Sequence, residues 1–372
     1  MNRFLRKKYA LLGLDKEIAK KKSPILEGLK RFITAPALKY ILFGVLLMVI
    51  GYVSTNVYTK IYSWQSALAT TFAYAIAAIG FCLLMGYSGL ASLGTGGFIG
   101  IGTYAVHFVM AESGMNFIVA VLVAIAISVV IGLIVGFISL RIEGIYLCIL
   151  TLALSEILRN FYIAIKSTVS ISTLMSKNQI LIITEPIKRT ERLYLVAICL
   201  VVIMILTHNL INSPTGRAML AMKNSTAAAQ AMGISLMKYR LLAFVLCTAY
   251  AAFAGTLIMI TMLTVDATEA NGVYSLLTSL NILAAVIIGG YKSIWGAVFG
   301  AFVMYGMETV LFQNIPFFAE NPVIITLISG VLVILVVMFY PGGLAQLLME
   351  LKGKLKKLRI KIREAKYGKD LG

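Results

Sequence analysis

Apolar runs of roughly 18 to 24 residues recur along the chain between short polar or glycine-containing stretches, the length that crosses about 30 Å of hydrocarbon at 1.5 Å per residue. They fall near 38–56, 66–86, 92–110, 117–139, 145–164, 193–211, 241–263, 274–290, 294–312 and 322–340. The pattern predicts an all-α polytopic membrane protein of about ten transmembrane helices. Composition agrees, because 60% of the 372 residues are hydrophobic and only 13% are charged. A soluble domain of this length would have too little polar surface to show water.

Charge then orients the spans, since segments that remain in the cytoplasm retain Lys and Arg. With both termini cytoplasmic, that side holds eleven basic residues before Tyr40, Arg141, four in the 213–240 loop, Lys292 and nine after Pro341, together 26 of the 33 Lys and Arg. The opposite side receives Lys60 and five bases in the 165–192 loop. Connections there around Glu112, Asp266 with Glu269, and Glu320 carry acids without bases. Three regions follow: a basic cytoplasmic tail over 1–37 that suits either an interfacial helix or a disordered tail, a membrane-spanning domain over 38–340, and a basic cytoplasmic tail over 341–372. The net charge of +18 is concentrated in these tails. Anionic lipid headgroups account for it without a nucleic-acid partner.

Two stretches stand apart from the apolar pattern. The loop 213–240 contains Arg217, Lys223, Lys238 and Arg240 and no acid. Ser213 before Pro214 predicts a capped helix start, Asn224, Ser225 and Thr226 offer a second cap before an Ala-rich run, and Gly233 supplies a left-handed stop. Two short helices bent near Asn224 are expected. The second stretch, Gly86 to Tyr104, holds seven glycines together with Ser88, Ser92, Thr95 and Thr103. Gly96 and Gly100 have the spacing of tight helix packing. Broken backbone at that depth would instead line a polar cavity, so packing and a pathway lining both remain open. Gly86-Tyr87 and Gly290-Tyr291 look alike, but both sit at ends of spans running in the same direction, which excludes an inverted repeat.

The run G-Y-S-G-L-A-S-L-G-T-G-G-F-I-G-I-G-T-Y (86–104) resembles the signature segment of permease subunits of ATP-binding-cassette importers for branched-chain amino acids, the LivM-like type. T-L-A-L-S-E-I-L-R (151–159), G-R-A-M-L-A-M-K-N-S-T-A-A-A-Q-A-M-G-I (216–234) and S-L-L-T-S-L-N-I-L-A-A-V-I-I-G-G-Y-K-S-I-W-G-A-V-F-G-A (275–301) agree in type and order, as does Y-P-G-G-L (340–344). The resemblance covers roughly 79–344. It implies a type II-like importer fold with the coupling element between the sixth and seventh spans. Gly216, Arg217, Lys223, Ser225, Thr226, Ala228 and Gly233 would then contact an ATPase. The implied partners are a homologous second permease subunit, two cytoplasmic ATP-binding subunits and an extracellular solute-binding protein, with ATP bound by the ATPase chains and no cofactor on this one. Thr95 stands where that family commonly carries a histidine.

A pathway along the permease interface would draw on Ser88, Ser92, Thr95, Tyr104, Glu156 and Arg159. Glu156 and Arg159 lie three apart within one span, on neighbouring positions of a helix face. An unpaired charge in hydrocarbon costs at least ~2.5–3.5 kcal/mol, so such residues pair or face water. A structural ion pair and a contact to a zwitterionic substrate are the two readings, and Glu308 invites the same pair. In the 165–192 loop, Lys188, Arg189 and Arg192 could dock the binding protein or simply be solvated. His107 and His208 lie near span ends, where interfacial hydrogen bonding is expected. Cys82, Cys148, Cys199 and Cys247 all fall within spans, without metal or disulfide spacing.

The chain contains no G-x-x-x-x-G-K-[S/T], H-E-x-x-H or G-x-S-x-G motif, so no ATPase or hydrolase chemistry is expected of it. Competing readings are a permease for urea and short amides, for sugars or for nucleosides, and, from another class, an ion-coupled secondary transporter.

Overall fold

Twelve consecutive residues, Thr95–Val106, form a helix in which every residue is buried. In this computed structural model that short helix packs against three of the longer ones. The structure describes residues 36–57, 62–139, 145–171, 189–268 and 272–311, with scattered positions between 324 and 350. In chain order the helices are α1 (Pro36–Val57), α2 (Tyr62–Leu83), α3 (Thr95–Val106), α4 (Phe117–Ser139), α5 (Ile145–Ile165), α6 (Arg189–Asn212), α7 (Pro214–Asn224), α8 (Thr226–Ala231), α9 (Leu236–Met262), α10 (Leu276–Gly289) and α11 (Ile294–Ala301). Wider π turns extend α2 over Leu84–Ser88, α3 over His107–Glu112 and α11 over Phe302–Leu311. The chain divides into two units, Met1–Leu46 and Leu47–Gly372. All packing below is within the second.

Five helical stretches are long and apolar enough to cross a membrane: Trp64–Ser88, Phe117–Ile138, Tyr146–Ile165, Glu191–Asn212 and Leu236–Met262. Leu38–Val49, Leu276–Gly289 and Ile294–Met307 are shorter apolar helices. The expected span at 92–110 differs most. Residues 89–94 are unwound and α3 begins only at Thr95. The α-helical part, twelve residues rising about 18 Å, is shorter than the hydrocarbon thickness, and the π turns over His107–Glu112 add to its length. The expected span at 322–340 and both basic tails lie almost wholly outside the described residues.

Glycines let α9 lie directly on α3. A Cβ at Gly102 would overlap the Ala252 carbonyl oxygen, and one at Gly255 would overlap that of Ile99. This reciprocal pair, one glycine from each helix, lets the two backbones come into direct contact. Gly96 and Gly100, expected to form one small-residue seam, instead meet two neighbours: Gly96 abuts the start of α10 at Ser275 and Ser279, and Gly100 lies against the Tyr162 ring of α5. Beyond these contacts, α9 also packs on α2 and α4, and α10 on α11, α2 and α3.

A short ribbon breaks the all-helical expectation. Strands β1 (Thr168–Ser170) and β2 (Thr264–Asp266) pair antiparallel with Val169 opposite Val265. Each is three residues long and follows a long helix, so neither had enough alternation to announce itself. Leu263 turns the chain from α9 into β2 at φ +67°, and its carbonyl accepts the Ile171 N–H at 2.9 Å.

At the opposite end of the bundle the two Gly-Tyr dipeptides meet. A Cβ at Gly86 would overlap the Tyr291 carbonyl oxygen, and the Tyr87 hydroxyl donates to the Lys292 carbonyl at 3.2 Å. Gly343, from the Y-P-G-G-L run, packs on the Gly290 backbone with φ +74°. The likeness of the two dipeptides thus has a packing counterpart on one side, since Gly86 lets the Tyr291 backbone approach.

Candidate functional site

The unwound segment 89–94 leaves the first N–H groups of α3 without partners inside their own helix. Water would satisfy them at a surface, but here they are buried, and the neighbouring helices supply hydroxyls. Leu93 N–H donates to Thr151 Oγ1, Gly97 N–H to Ser155 Oγ and Gly96 N–H to Ser279 Oγ, each at 2.9 Å. Thr151 and Ser155 are four apart on α5, so one helix face holds two of the three caps. The T-L-A-L-S run was visible in the sequence as a pair of hydroxyls on one face. That their partners lie 58 residues earlier, and that Ser279 joins from α10, was not.

Of the expected pathway residues, Ser88, Ser92, Thr95 and Tyr104 are buried within this chain. Ser88 Oγ donates to the Leu84 carbonyl, and Ser92 Oγ accepts the Gly94 N–H at 3.3 Å. Thr95 Oγ1 has no hydrogen-bond partner among the described residues. The Tyr104 hydroxyl donates to the carbonyls of Tyr162 and Lys166, and its ring stacks on Tyr162 with centroids 4.5 Å apart. Tyr162 in turn donates to the Gly97 carbonyl at 2.7 Å, and Tyr274 shares a 2.7 Å hydrogen bond with Thr103. Tyr162 and Tyr274, unremarked in the sequence, join Tyr104 in holding the ribbon half of α3 against α5 and the segment before α10. Beside them His107 Nδ1 lies 2.9 Å from the Ser170 carbonyl and Nε2 2.8 Å from Lys166 Nζ, which also reaches Glu112 at 3.4 Å.

Glu156 and Arg159 behave differently from the other four. They form an ion pair at 2.9 Å, and Arg159 Nε donates to the Ala267 carbonyl at 3.2 Å. The carboxylate side chain is 45% exposed and the guanidinium 20%. Together they line an open crevice of about 390 Å³ between α5 and α10, with Ser155 and Leu152 on one wall and Leu276, Leu277 and Leu280 on the other. The structure therefore brings these two together on a largely apolar surface beside Ser155, one of the caps of α3. The side chain of Glu308 lies outside the described residues.

The 213–240 loop folds as its local signals predict. Ser213 Oγ accepts the Gly216 N–H and Ser225 Oγ accepts the Ala228 N–H, both at 3.3 Å, and Gly233 takes φ +77°. Gly216 is buried where a Cβ would overlap the Ile211 backbone. Thr226 and Ala228 are exposed, and Arg217 donates to the Asn212 carbonyl at 3.0 Å. A groove of about 500 Å³ runs between α8 and α9, lined by Gln230, Gly233, Ile234, Leu236, Met237 and Arg240 among others. Met232 stands beside it, 82% exposed.

Lys223 is one of the residues expected at an ATPase contact. Its ammonium turns inward and donates to the carbonyls of Met85 and Gly86 at 3.0 and 2.8 Å, 4.5 Å from the centre of the Tyr291 ring. These are the orphan carbonyls at the end of the α2 helix, where a cation is favoured. Burial, then the nearby Lys292 charge, holds the Lys223 pKa below the usual lysine value.

Of the expected docking bases, Lys188 lies outside the described residues, Arg189 begins α6 and Arg192 follows within its first turn. The four cysteines are free.

Residues 63–337 match the model of the family described as branched-chain amino acid transport system, permease component. Over 304 residues the chain is 28% identical to the high-affinity branched-chain amino acid transport system permease protein LivM of Escherichia coli (strain K12), covering 74% of this chain and 68% of that protein. The protein of the same name from Salmonella typhimurium (strain LT2) is likewise 28% identical, over 299 residues with the same coverage of each chain. With its long apolar helices and a match that runs through all of them from α2 onward, the chain belongs to the family of permease components of branched-chain amino acid transport systems and is a multi-pass protein of the cell membrane.

Proposed function

We propose that this chain is the membrane-spanning subunit of an ATP-driven importer that moves branched-chain amino acids delivered by an extracellular binding protein. Residues 38–340 form the permease domain with about ten spans, and both basic tails lie in the cytoplasm. A homologous permease subunit completes the pathway, and two cytoplasmic ATP-binding subunits supply the energy. Lys188, Arg189 and Arg192 receive the binding protein on the outer side. The Escherichia coli and Salmonella relatives, named as high-affinity branched-chain amino acid permease proteins, support the substrate class.

The observation that carries the coupling role is the α7–α8 element. It has two capped helices, a buried Gly216, and a groove with an exposed methionine beside it. Such an element is stiff enough to transmit displacement and is accessible to a soluble partner. Closure of the ATPase pair would push it and shift packed helices between two arrangements, a shear of the kind bistable interfaces allow.

The test is copurification in mild detergent of the tagged chain against its Arg217→Glu, Gly233→Leu double variant. A second permease and ATPase subunits should accompany the wild type, and the ATPase should be lost from the variant. Transport of solute by the purified chain alone, driven by an ion gradient and with no ATPase bound, would replace the importer reading with a carrier.

A further inference from the structure

We propose that the crevice between α5 and α10 is a binding site for an aliphatic amino acid along its route, with Glu156 receiving the ammonium group and Arg159 the carboxylate. The inference rests on the importer reading and narrows it to one place on this chain and one class of ligand.

Depth is the first argument. Glu156 is the twelfth residue of α5, about 17 Å from its start and so at mid-membrane for a helix of this length. Its carboxylate is nevertheless close to half exposed. A charged group left open to lipid at that depth is heavily disfavoured, and such residues face water or protein. The exposed apolar residues Ile157 and Phe161 occupy an adjacent stripe of the same helix, which suits lipid. The Glu156 stripe does not.

Geometry is the second. Arg159 is pinned at two atoms, Nη1 on Glu156 and Nε on the Ala267 carbonyl, which fixes the guanidinium plane. Its Nη2 and the second Glu156 oxygen hold no bond among the described residues. One donor and one acceptor therefore stand side by side on a preorganised pair, matching the carboxylate and ammonium of a zwitterion. The pair is neutral overall and so is the ligand, so binding adds no net charge to a site of low dielectric. A simple amine or a simple carboxylate would add one.

The apolar wall is the third. Leu152, Leu276, Leu277 and Leu280 face the same space, whose volume of about 390 Å³ falls within the ~300–1,000 Å³ typical of small-molecule sites. A branched aliphatic side chain finds four leucines there, and the one further polar side chain, Ser155, already accepts the Gly97 N–H. Because α10 begins at this wall, its positive N-terminal end adds to the attraction of Arg159 for a carboxylate.

The test uses the complete transporter in liposomes, with Leu277→Cys introduced and its maleimide labelling rate measured against the unsubstituted protein. L-Leucine is expected to slow labelling several-fold, while 3-methylbutylamine and 4-methylpentanoate, each lacking one charge, leave it unchanged. Adding Glu156→Gln or Arg159→Gln should raise the leucine concentration that gives half protection at least about tenfold. If either charge variant fails to assemble, the labelling result on the charge-intact chain decides the matter alone. A wild-type transporter that takes up leucine, paired with Leu277→Cys labelling that leucine does not slow, would overturn the site and leave the importer reading intact. A complete transporter that moves no branched-chain amino acid would overturn both.

Discussion

Lys223 on α7 holds the carbonyl of Gly86 at the end of α2, 137 residues earlier in the chain, through a hydrogen bond of 2.8 Å. The same ammonium takes the Met85 carbonyl, and its stem lies against Gly89, whose φ of +75° no bulkier residue would adopt without strain. Just beyond Gly89 the chain is unwound and leads into α3. The proposed coupling element is thus tied directly to the break that precedes α3. Charge-assisted hydrogen bonds contribute about 1.5–3 kcal/mol. On the proposed coupling role, Lys223→Met should leave ATPase subunits bound while transport per ATP hydrolysed falls about tenfold. Equal losses of hydrolysis and transport would make Lys223 a structural strut only.

The hydroxyl caps of α3 make a second prediction. Ser155→Ala or Ser279→Ala leaves a buried backbone N–H without an acceptor, which costs about 1–3 kcal/mol. Ser128 is the control, because its buried hydroxyl has no hydrogen-bond partner among the described residues. Thermal unfolding in detergent should show a clear fall in midpoint for the first two and little change, or a gain, for Ser128→Ala.

At the α3–α9 crossing, a single methyl group has nowhere to go. Gly102→Ala or Gly255→Ala places Cβ on a backbone carbonyl of the facing helix, not on a side chain that could rotate away. Overpacking commonly costs about 1–3 kcal/mol, and a backbone obstacle puts these two at the upper end or beyond. Gly114→Ala is the comparison for bulk, since nothing lies within 4 Å of that position, although its φ of +66° adds local strain. The yield of folded protein after detergent extraction should separate them.

Asp266 predicts a pH dependence at the ribbon end. Its Oδ1 accepts the Thr268 N–H at 2.8 Å and the Thr268 hydroxyl at 2.7 Å, and Oδ2 accepts the Thr168 hydroxyl at 3.0 Å. These bonds favour the carboxylate and hold its pKa below the usual value of 3.8. The folded pKa being the lower, the stabilisation is fully present above pH 3.8 and is lost as pH falls through the folded value. Hydrogen exchange at the Thr268 amide should accelerate in that acid range, beyond the intrinsic trend, and Asp266→Ala should abolish the step. Exchange that tracks the intrinsic rate throughout would mean that these bonds do not hold the ribbon.

Features that depend on neighbours within a few residues were legible in the residues alone. Stretches of apolar residues marked α2, α4, α5, α6 and α9, because a membrane span needs only length and composition. Ser213, Pro214, Ser225 and Gly233 bounded α7 and α8, because capping is settled within one turn. The Glu156–Arg159 pair was legible for the same reason, being three residues apart on one helix. Tertiary structure alone decided which faces meet. It brought Gly102 to Gly255, assigned the caps of α3 to Thr151, Ser155 and Ser279, turned Lys223 inward, and set three leucines of α10 opposite the ion pair. Helices this uniformly apolar carry little pattern to say which side faces a neighbour. The choice rests on close packing, where one missing Cβ or one unsatisfied N–H outweighs the average hydrophobicity of a face.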